Sequence, residues 1–542
     1  MSDGLATILG RLRARVEQDP DRHLAACGGG WNSVGQAYDR ARRLAAGLYQ
    51  LGVRPGDRVA SMMANRDEAL DVLFGCAALG AVHVPLNMFL KGEFLRYQLV
   101  DADPGVVIAD YAAYPLMAEV ATSSPELSEV TFVSLDCDAE GSSGAIRYRD
   151  LFVDPTQAWP DPTPDDLVSV LYTSGTTGMP KGCMISNGYF VRMPRAHMIN
   201  GWFTADDTSL CPLSLYHGFA LSALMDALVA GCRVSFEPTF SASGLIERAR
   251  EIGATQVFGV GAMAAALLAT RPRADDADHT IERVIFIPLA PQVQRELACR
   301  FGVRAIGEGY GQTEVLPATM GSGRRSAGER TSAGARVPWL DVQVVDDDDR
   351  LLPVGQTGEI VVRPLEPHSM FSGYWRNEQA TLQAWRNLWH HTGDLGVFDD
   401  EGLLYYVDRK KDALRRHGEN VSSVELELAI CAHAAIAEVA VHATPADVRE
   451  DEIKVCVVLK PGAQLTPEEL FDFFRTNLPY YAVPRYVEFL DELPVNAMGR
   501  VQKHKLRESW DTPTTVDLQA LGLVVERSAR RGARRGPRSE SQ

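Results

Sequence analysis

The sequence predicts an α/β protein of more than one domain, with largely parallel sheets covered by helices. Three observations carry this. Amphipathic stretches alternate with short apolar runs from the N-terminus to about residue 310, the βαβ rhythm of parallel sheets. At 542 residues the chain exceeds what one hydrophobic core organises. The texture also changes twice, near residue 335 and again near 408.

The elements follow in order. Gln36 to Leu51 has helical periodicity closed by Gly52, and PGDRVASMMAN reads as turn, strand and loop. Asp67 to Leu79 is a second helix stopped by Gly80, followed by the buried strand AVHVPL. VTFVSLD from Val130 is another strand, and beyond residue 165 LVSVLYTS, CRVSFEP, ATQVFGV, RVIFIPL and VRAIGEG continue the series. From about 335, DVQVVDDDDRLLPVGQTGEIVVRP reads as a hairpin whose turn is the acidic run Asp346 to Asp349, a solvated turn rather than a metal site. Short strands run on to Tyr406 and suggest a small β-barrel-like part. DRKKD then opens a smaller αβ block. The expected division is a large domain over 1–408, a small one over 409–510, and an Arg/Gly/Ser-rich tail over 511–542 that is expected to be disordered. No internal repeat is visible.

Composition narrows the function classes. Forty-six per cent hydrophobic and 23% charged residues suit a globular chain. A formal charge of −17, from 71 acidic and 54 basic residues, disfavours a nucleic-acid partner. The nine cysteines are scattered with no C-x-x-C pair, arguing against a zinc ribbon or a secreted disulfide framework. The N-terminus lacks a signal peptide's apolar core, and the apolar stretch Tyr216 to Cys232 contains His217 and Asp226 and is too short to span a bilayer. A cytoplasmic protein with no membrane partner is expected.

The densest chemical signal is Tyr172-Thr-Ser-Gly-Thr-Thr-Gly-Met-Pro-Lys-Gly182, directly after the strand LVSVL. Thr173, Ser174, Thr176 and Thr177 supply hydroxyls, Gly175 and Gly178 let backbone N–H groups turn inward, and Lys181 supplies a point charge. That set suits an anion. Pro180 stands where the common P-loop needs its second glycine, so this is a different phosphate loop.

The loop closely resembles the pyrophosphate-binding signature of the adenylate-forming superfamily: acyl- and aryl-CoA synthetases, luciferases and peptide-synthetase adenylation domains. Further motifs appear in the family's order. Tyr310-Gly311-Gln-Thr313-Glu314 resembles its second signature, which implies Tyr310 against adenine, Thr313 at the phosphate and Glu314 as a Mg²⁺ ligand. His391-Thr-Gly-Asp394 resembles the segment whose aspartate holds both ribose hydroxyls. Asp408-Arg409-Lys410-Lys411-Asp412 resembles the interdomain hinge, with Arg409 at ribose and phosphate and Lys411 at the pivot. Leu213 to His217 resembles the P-L-x-H segment, whose histidine stands between acyl site and phosphates. Gly418-Glu419-Asn420 resembles the loop lining the pantetheine tunnel of CoA ligases, nearest to the crotonobetaine/carnitine-CoA ligase-like branch.

The resemblance spans about residues 20 to 510. It implies a large N-terminal domain and a small, mobile C-terminal domain that rotates between adenylation and thioester formation. Its substrates would be a carboxylic acid, ATP with Mg²⁺, and coenzyme A.

The sequence departs from the pattern at three places. His417 stands where the family commonly has glycine. Pro288 and Leu289, ahead of Ala290 and Pro291, stand where the family often has Gly-Gly before Ala-Pro, beside adenine and the acyl pocket. Arg500 replaces the adenylation lysine, and a planar guanidinium is no close substitute for a compact ammonium. Two readings stay open. Arg500 substitutes, or Lys503 reaches in, giving a complete acyl-CoA ligase; or only the thioester-forming half survives, fed by a separate enzyme that supplies acyl-AMP. A non-catalytic nucleotide binder is a third reading.

Gly259, Gly261 and Ala262 belong to the expected acyl pocket together with His217, Pro288, Leu289 and Ala290. Small residues there leave room for a bulky apolar acyl group, or else serve tight helix-to-sheet packing. Gly259-x-Gly261-x-x-Ala264 also mimics a dinucleotide fingerprint, but Asp278, its would-be acidic partner, falls in a polar loop.

Overall fold

Two seven-stranded sheets form the large N-terminal part. The structure is a computed structural model describing residues 3–136, 145–156, 159–173, 179–287, 289, 291–322, 332–410, 414–416, 419–421, 423–444, 452–478, 482–495 and 501–524. One sheet runs in spatial order Ala305–Ile306, Arg283–Ile287, Gln256–Val260, Thr208–Cys211, Arg233–Phe236, His23–Cys27, Asn32–Ser33. The other runs Ile146–Arg147, Thr131–Ser134, Val106–Ala109, Arg58–Met62, Val82–Pro85, Leu167–Thr173, Lys181–Ser186. Both are parallel except at one edge, where the last strand pairs antiparallel.

Local chemistry explains the boundaries. The helix Val34–Gln50 begins at a capping box, in which Ser33 accepts from the Gln36 amide and the Gln36 side chain returns to the Ser33 amide. Asp67–Leu79 ends at Gly80, which takes the left-handed conformation (φ 79°) that β-carbons resist. Helices Val34–Gln50, Asp67–Leu79 and Gly218–Ala230 contribute buried residues to one hydrophobic core shared with both sheets. The strand Val82–Pro85 is buried throughout, as a central parallel strand should be.

The expected hairpin is present. Leu340–Val345 pairs antiparallel with Gly358–Pro364 in register Val342 to Val362, and His390–Phe398 and Leu404–Arg409 complete a four-stranded sheet. A three-stranded sheet, Gly309–Gln312, Val315–Met320 and Ala335–Arg336, lies between this sheet and the large ones in sequence. The acidic run forms the turn, but it is pinned rather than simply solvated. Asp346 accepts from the amides of Asp348 and Arg350, Asp349 accepts from Arg386 and Asn387, and Asp347 pairs with Lys410 at 2.8 Å. The Arg386 bond holds the Asp349 carboxyl at about 2.

The C-terminal unit has its own core, including Val441, Val455, Leu470 and Phe474. Its four-stranded sheet orders Ile436–Thr444, Glu452–Leu459, Tyr486–Phe489 and Val516–Asp517. This corrects the boundary expected at 510. The last strand pairs Val516 with Val487, and Leu518 is fully buried in the same core. The buried Lys454 also reaches beyond 510: it donates to Glu488 Oε2, to the Trp510 carbonyl and to Thr515 Oγ1 at 2.6, 2.6 and 2.8 Å. A buried ammonium needs such partners, and the sequence pattern of an edge strand this short does not announce them. The Arg-rich stretch 525–542 lies outside the described residues. No described helix is long and apolar enough to cross a membrane.

Candidate active site

The site is organised around the hairpin that carries Tyr310-Gly-Gln-Thr-Glu314. Gly309–Gln312 and Val315–Met320 pair antiparallel, and Thr313 and Glu314 form the turn. The register slips between Tyr310 and Gln312, and there the backbone folds so closely that a β-carbon on Gly311 would meet the Val315 carbonyl at 2.9 Å. Tyr189 fixes the turn from below, donating to the Thr313 carbonyl (3.2 Å) and accepting from the Leu316 amide (2.6 Å).

Strand alternation brings Asp394 to this hairpin. In His390–Phe398 every second residue is buried, so Asp394 shares the inner face with His390, Thr392 and Phe398. A buried carboxylate requires donors, and three converge on it. Tyr310 Oη and Gln312 Nε2 each donate to Asp394 Oδ2 at 2.7 Å, and Arg409 Nε stands 3.1 Å from Oδ1. Asp394 and Arg409 are also directly paired across the sheet. Tyr310 is itself buried, its ring stacked on Tyr406 at 6.3 Å.

The phosphate-loop strands arrive from the other side. Leu167–Thr173 and Lys181–Ser186 form a hairpin in which Thr173 and Lys181 are opposite, Thr173 Oγ1 donating to the Lys181 carbonyl at 3.4 Å. Ser174, Gly175, Thr176, Thr177 and Gly178, the tip itself, lie outside the described residues. The Lys181 ammonium sits over the Tyr374 ring, 4.9 Å from its centre, and Tyr374 Oη donates to Glu314 Oε1 at 2.8 Å. Thus the loop's cation and the hairpin's carboxylate meet through one side chain. Glu314 is the carboxylate that would hold Mg²⁺, with waters and substrate phosphates completing the coordination. Among the described residues no group of three or more His, Cys, Asp or Glu side chains could cage a metal.

His217 caps the helix Gly218–Ala230, and a β-carbon on Gly218 would lie 3.8 Å from Thr313 Oγ1 and 3.6 Å from Leu171. The histidine is half-buried, its ring 4.6 Å from that of Tyr216, and burial pulls its pKa to about 4, so it is neutral at pH 7. Beside it, a small cavity of about 20 Å³ is lined by Ser61, Leu70, His83, Leu86, Leu215 and Tyr216 among others.

Other expected residues fall elsewhere or go undescribed. Lys503 is engaged within the small unit, donating to Ser423 Oγ (2.6 Å) and pairing with Glu427 (2.7 Å), while Ser423 in turn donates to Asp408. Glu419 and Asn420 lie on a two-stranded hairpin, paired with Arg416 and Arg415. Arg500, Lys411, Gly418, Pro288 and Ala290 lie outside the described residues. At Gly259 the structure favours packing over volume, because a β-carbon would meet Phe286 at 2.2 Å. Gly261 opens the following helix, Ala262 is exposed, and Leu289 packs against the neighbouring core. Gln312 and Tyr374 were not singled out by sequence. Gln312 sits inside the motif at the register slip, whereas Tyr374 lies in a segment with no signature of its own.

Comparison with known proteins gives the family. Residues 12–375 match the model of the AMP-binding enzyme family, and residues 425–500 match the AMP-binding enzyme C-terminal domain. The chain belongs to the AMP-binding, adenylate-forming enzyme family. It is similar to the crotonobetaine/carnitine–CoA ligase of Salmonella arizonae, 32% identical over 85% of this chain and 90% of that protein. Among solved structures it is similar to ATP-bound MatB from Rhodopseudomonas palustris, with TM-score 0.83 and 29% identity over 93% of this chain and 99% of the other. It is also similar to the o-succinylbenzoate CoA synthetase of Bacillus subtilis in complex with its acyl-adenylate intermediate, with TM-score 0.80 and 25% identity over 93% and 99%. The chain is therefore an AMP-forming acid–thiol ligase that makes an acyl-CoA thioester through an acyl-adenylate. These likenesses do not favour a half-reaction enzyme, a non-catalytic nucleotide binder or a nicotinamide enzyme as the reading of this ligase.

Proposed function

We propose that this ligase activates a bulky, apolar carboxylic acid, and that the hairpin Gly309–Met320 is the meeting point of its nucleotide-binding groups. The observation that carries the reading is the chain Lys181–Tyr374–Glu314, joined on the same hairpin to Gln312–Asp394–Arg409. Asp394 is suited to accept the ribose hydroxyls, with Arg409 balancing its charge. Lys181 and Thr313 are suited to the phosphates, and Glu314 to Mg²⁺, which when bound neutralises charge on the triphosphate. The substrate carboxylate attacks the α-phosphorus and pyrophosphate leaves; a CoA thiolate then attacks the adenylate carbonyl and AMP leaves. His217, neutral and at the start of a helix beside Thr313, stands where it can orient the acyl carboxylate without adding charge. Arg500 supplies the cation that the family draws from lysine.

The leucines that line the region beside Tyr216, Leu70, Leu73, Leu86 and Leu215, support an apolar acyl group. The separate core of the C-terminal unit supports a small domain, beginning near Arg409, that turns about Lys411 and presents Gly418, Glu419 and Asn420 to CoA.

The test is ATP–pyrophosphate exchange, followed by thioester formation with CoA, over a panel of acids. The panel includes crotonobetaine and carnitine, after the names of the relatives, with short, branched and aromatic apolar acids. Exchange and thioester formation with apolar members is expected. Thioester formation from supplied acyl-AMP without exchange by any acid would overturn full ligase activity, and preference for the charged acids would overturn the acyl assignment.

A further inference from the structure

The segment Phe371–Trp375 lies between the strand that leaves the phosphate loop and the hairpin turn that carries Glu314. It is stitched to both. The Phe371 amide donates to the Glu314 carbonyl (2.9 Å), Ser372 to the Met184 carbonyl (2.8 Å), Met184 to the Gly373 carbonyl (2.9 Å) and Trp375 to the Gly182 carbonyl (2.7 Å). Two glycines permit this. Gly373 adopts φ +114°, and a β-carbon on Gly182 would meet Val170 at 2.6 Å and Trp375 at 3.3 Å. The side chain that this backbone delivers is Tyr374, 8% exposed, its ring under the Lys181 ammonium and its hydroxyl on Glu314.

We propose that Tyr374 is a positioning residue for the adenylation half-reaction: it fixes one oxygen of Glu314, and with it the carboxylate's orientation, and seats Lys181 over its ring. This rests on the reading that Glu314 and Lys181 serve adenylation. The hydroxyl can play this part because a phenol keeps its proton at neutral pH and is a donor. It also orients Glu314 without competing for the metal, since a phenol neutral at pH 7 is a poor Mg²⁺ ligand beside a carboxylate. The ring holds Lys181 by the attraction of an ammonium for an aromatic face. A single residue thereby sets the spacing between the two charges that flank the triphosphate.

The experiment separates hydroxyl from ring. Tyr374→Phe keeps the ring and removes the donor; Tyr374→Leu removes both. In the full-length enzyme, exchange is titrated with Mg²⁺ and with ATP, and thioester formation is followed from supplied acyl-AMP and CoA. For Tyr374→Phe the Mg²⁺ concentration giving half-maximal exchange is expected to rise about tenfold or more, as for loss of a hydrogen bond to a charged group. High Mg²⁺ should restore much of the rate, and exchange should fall further than the thioester step. Tyr374→Leu should add a rise in KM for ATP. An unchanged Mg²⁺ requirement in Tyr374→Phe, or equal loss in both half-reactions, would overturn the role of Tyr374 alone. Absence of exchange by the unaltered enzyme at every Mg²⁺ concentration would overturn it together with the adenylation reading.

Discussion

At the scale of single residues, charge is placed by hydrogen bonds that the apolar surroundings make necessary. Asp394 sits on the buried face of its strand and is tolerable there because Tyr310, Gln312 and Arg409 meet it. Lys503, by contrast, is matched within the small unit by Ser423 and Glu427, which supports the proposal that Arg500 supplies the adenylation cation. Arg500→Lys is expected to raise the pyrophosphate-exchange rate by about tenfold or more, because a compact ammonium can contact the attacking carboxylate and the α-phosphate together. Lys503→Met is expected to lower the melting temperature of the small unit instead. An exchange rate indifferent to Arg500→Lys but abolished by Lys503→Met would reverse the two roles.

At the scale of elements, the strand Val516–Asp517 is the feature that most changes the picture of the chain. Glu488 accepts from Thr514 at 2.6 Å, Lys454 from beneath donates to Thr515, and Leu518 fills the core. A chain ending at Trp510 is expected to lose about 3 kcal/mol or more, from the uncovered core and a buried ammonium short of partners. One ending at Val524 should match the full chain in denaturant midpoint. Equal midpoints for both truncations would return the boundary to 510. The helix Asp67–Leu79, the strand Val82–Pro85 and the hairpin from Leu340 were legible because long apolar periods and flanking glycines encode them locally. Val516–Asp517 was not, since two residues carry no period and their pairing is decided by tertiary contact. The same distinction governs the site. Lys181, Glu314 and Asp394 stand in contiguous motifs, whereas Tyr374 owes its position to backbone bonds with strands distant in sequence, which no local pattern reports.

At the scale of the whole molecule, the buried histidines set how the fold meets acid. Burial depresses His83 and His390 to about 3, well below the ordinary value near 6.5. A depressed histidine pKa means that the unfolded chain binds the proton first, so stability falls as pH drops below about 6.5 and keeps falling toward 3. At pH 5 each costs about 2 kcal/mol relative to pH 8. Glu359 adds to this at lower pH: burial alone would raise it, but His391 and Lys410 bring it to about 2, so its contribution fades below about 4.5. Thermal midpoints should therefore decline between pH 7 and 5, before most carboxylates titrate, and a flat profile there would mean that these imidazoles are not held neutral by the fold.

Lys181, Glu314 and Asp394 are proposed to surround one adenosine phosphate. A crystal structure of the protein with a non-hydrolysable acyl-adenylate analogue tests it most directly. The ribose hydroxyls are expected on Asp394 and the phosphate within ion-pairing distance of Lys181 and beside Thr313. An ordered nucleotide that leaves Asp394 bonded only to Tyr310, Gln312 and Arg409, and lies outside the hairpin, would contradict it.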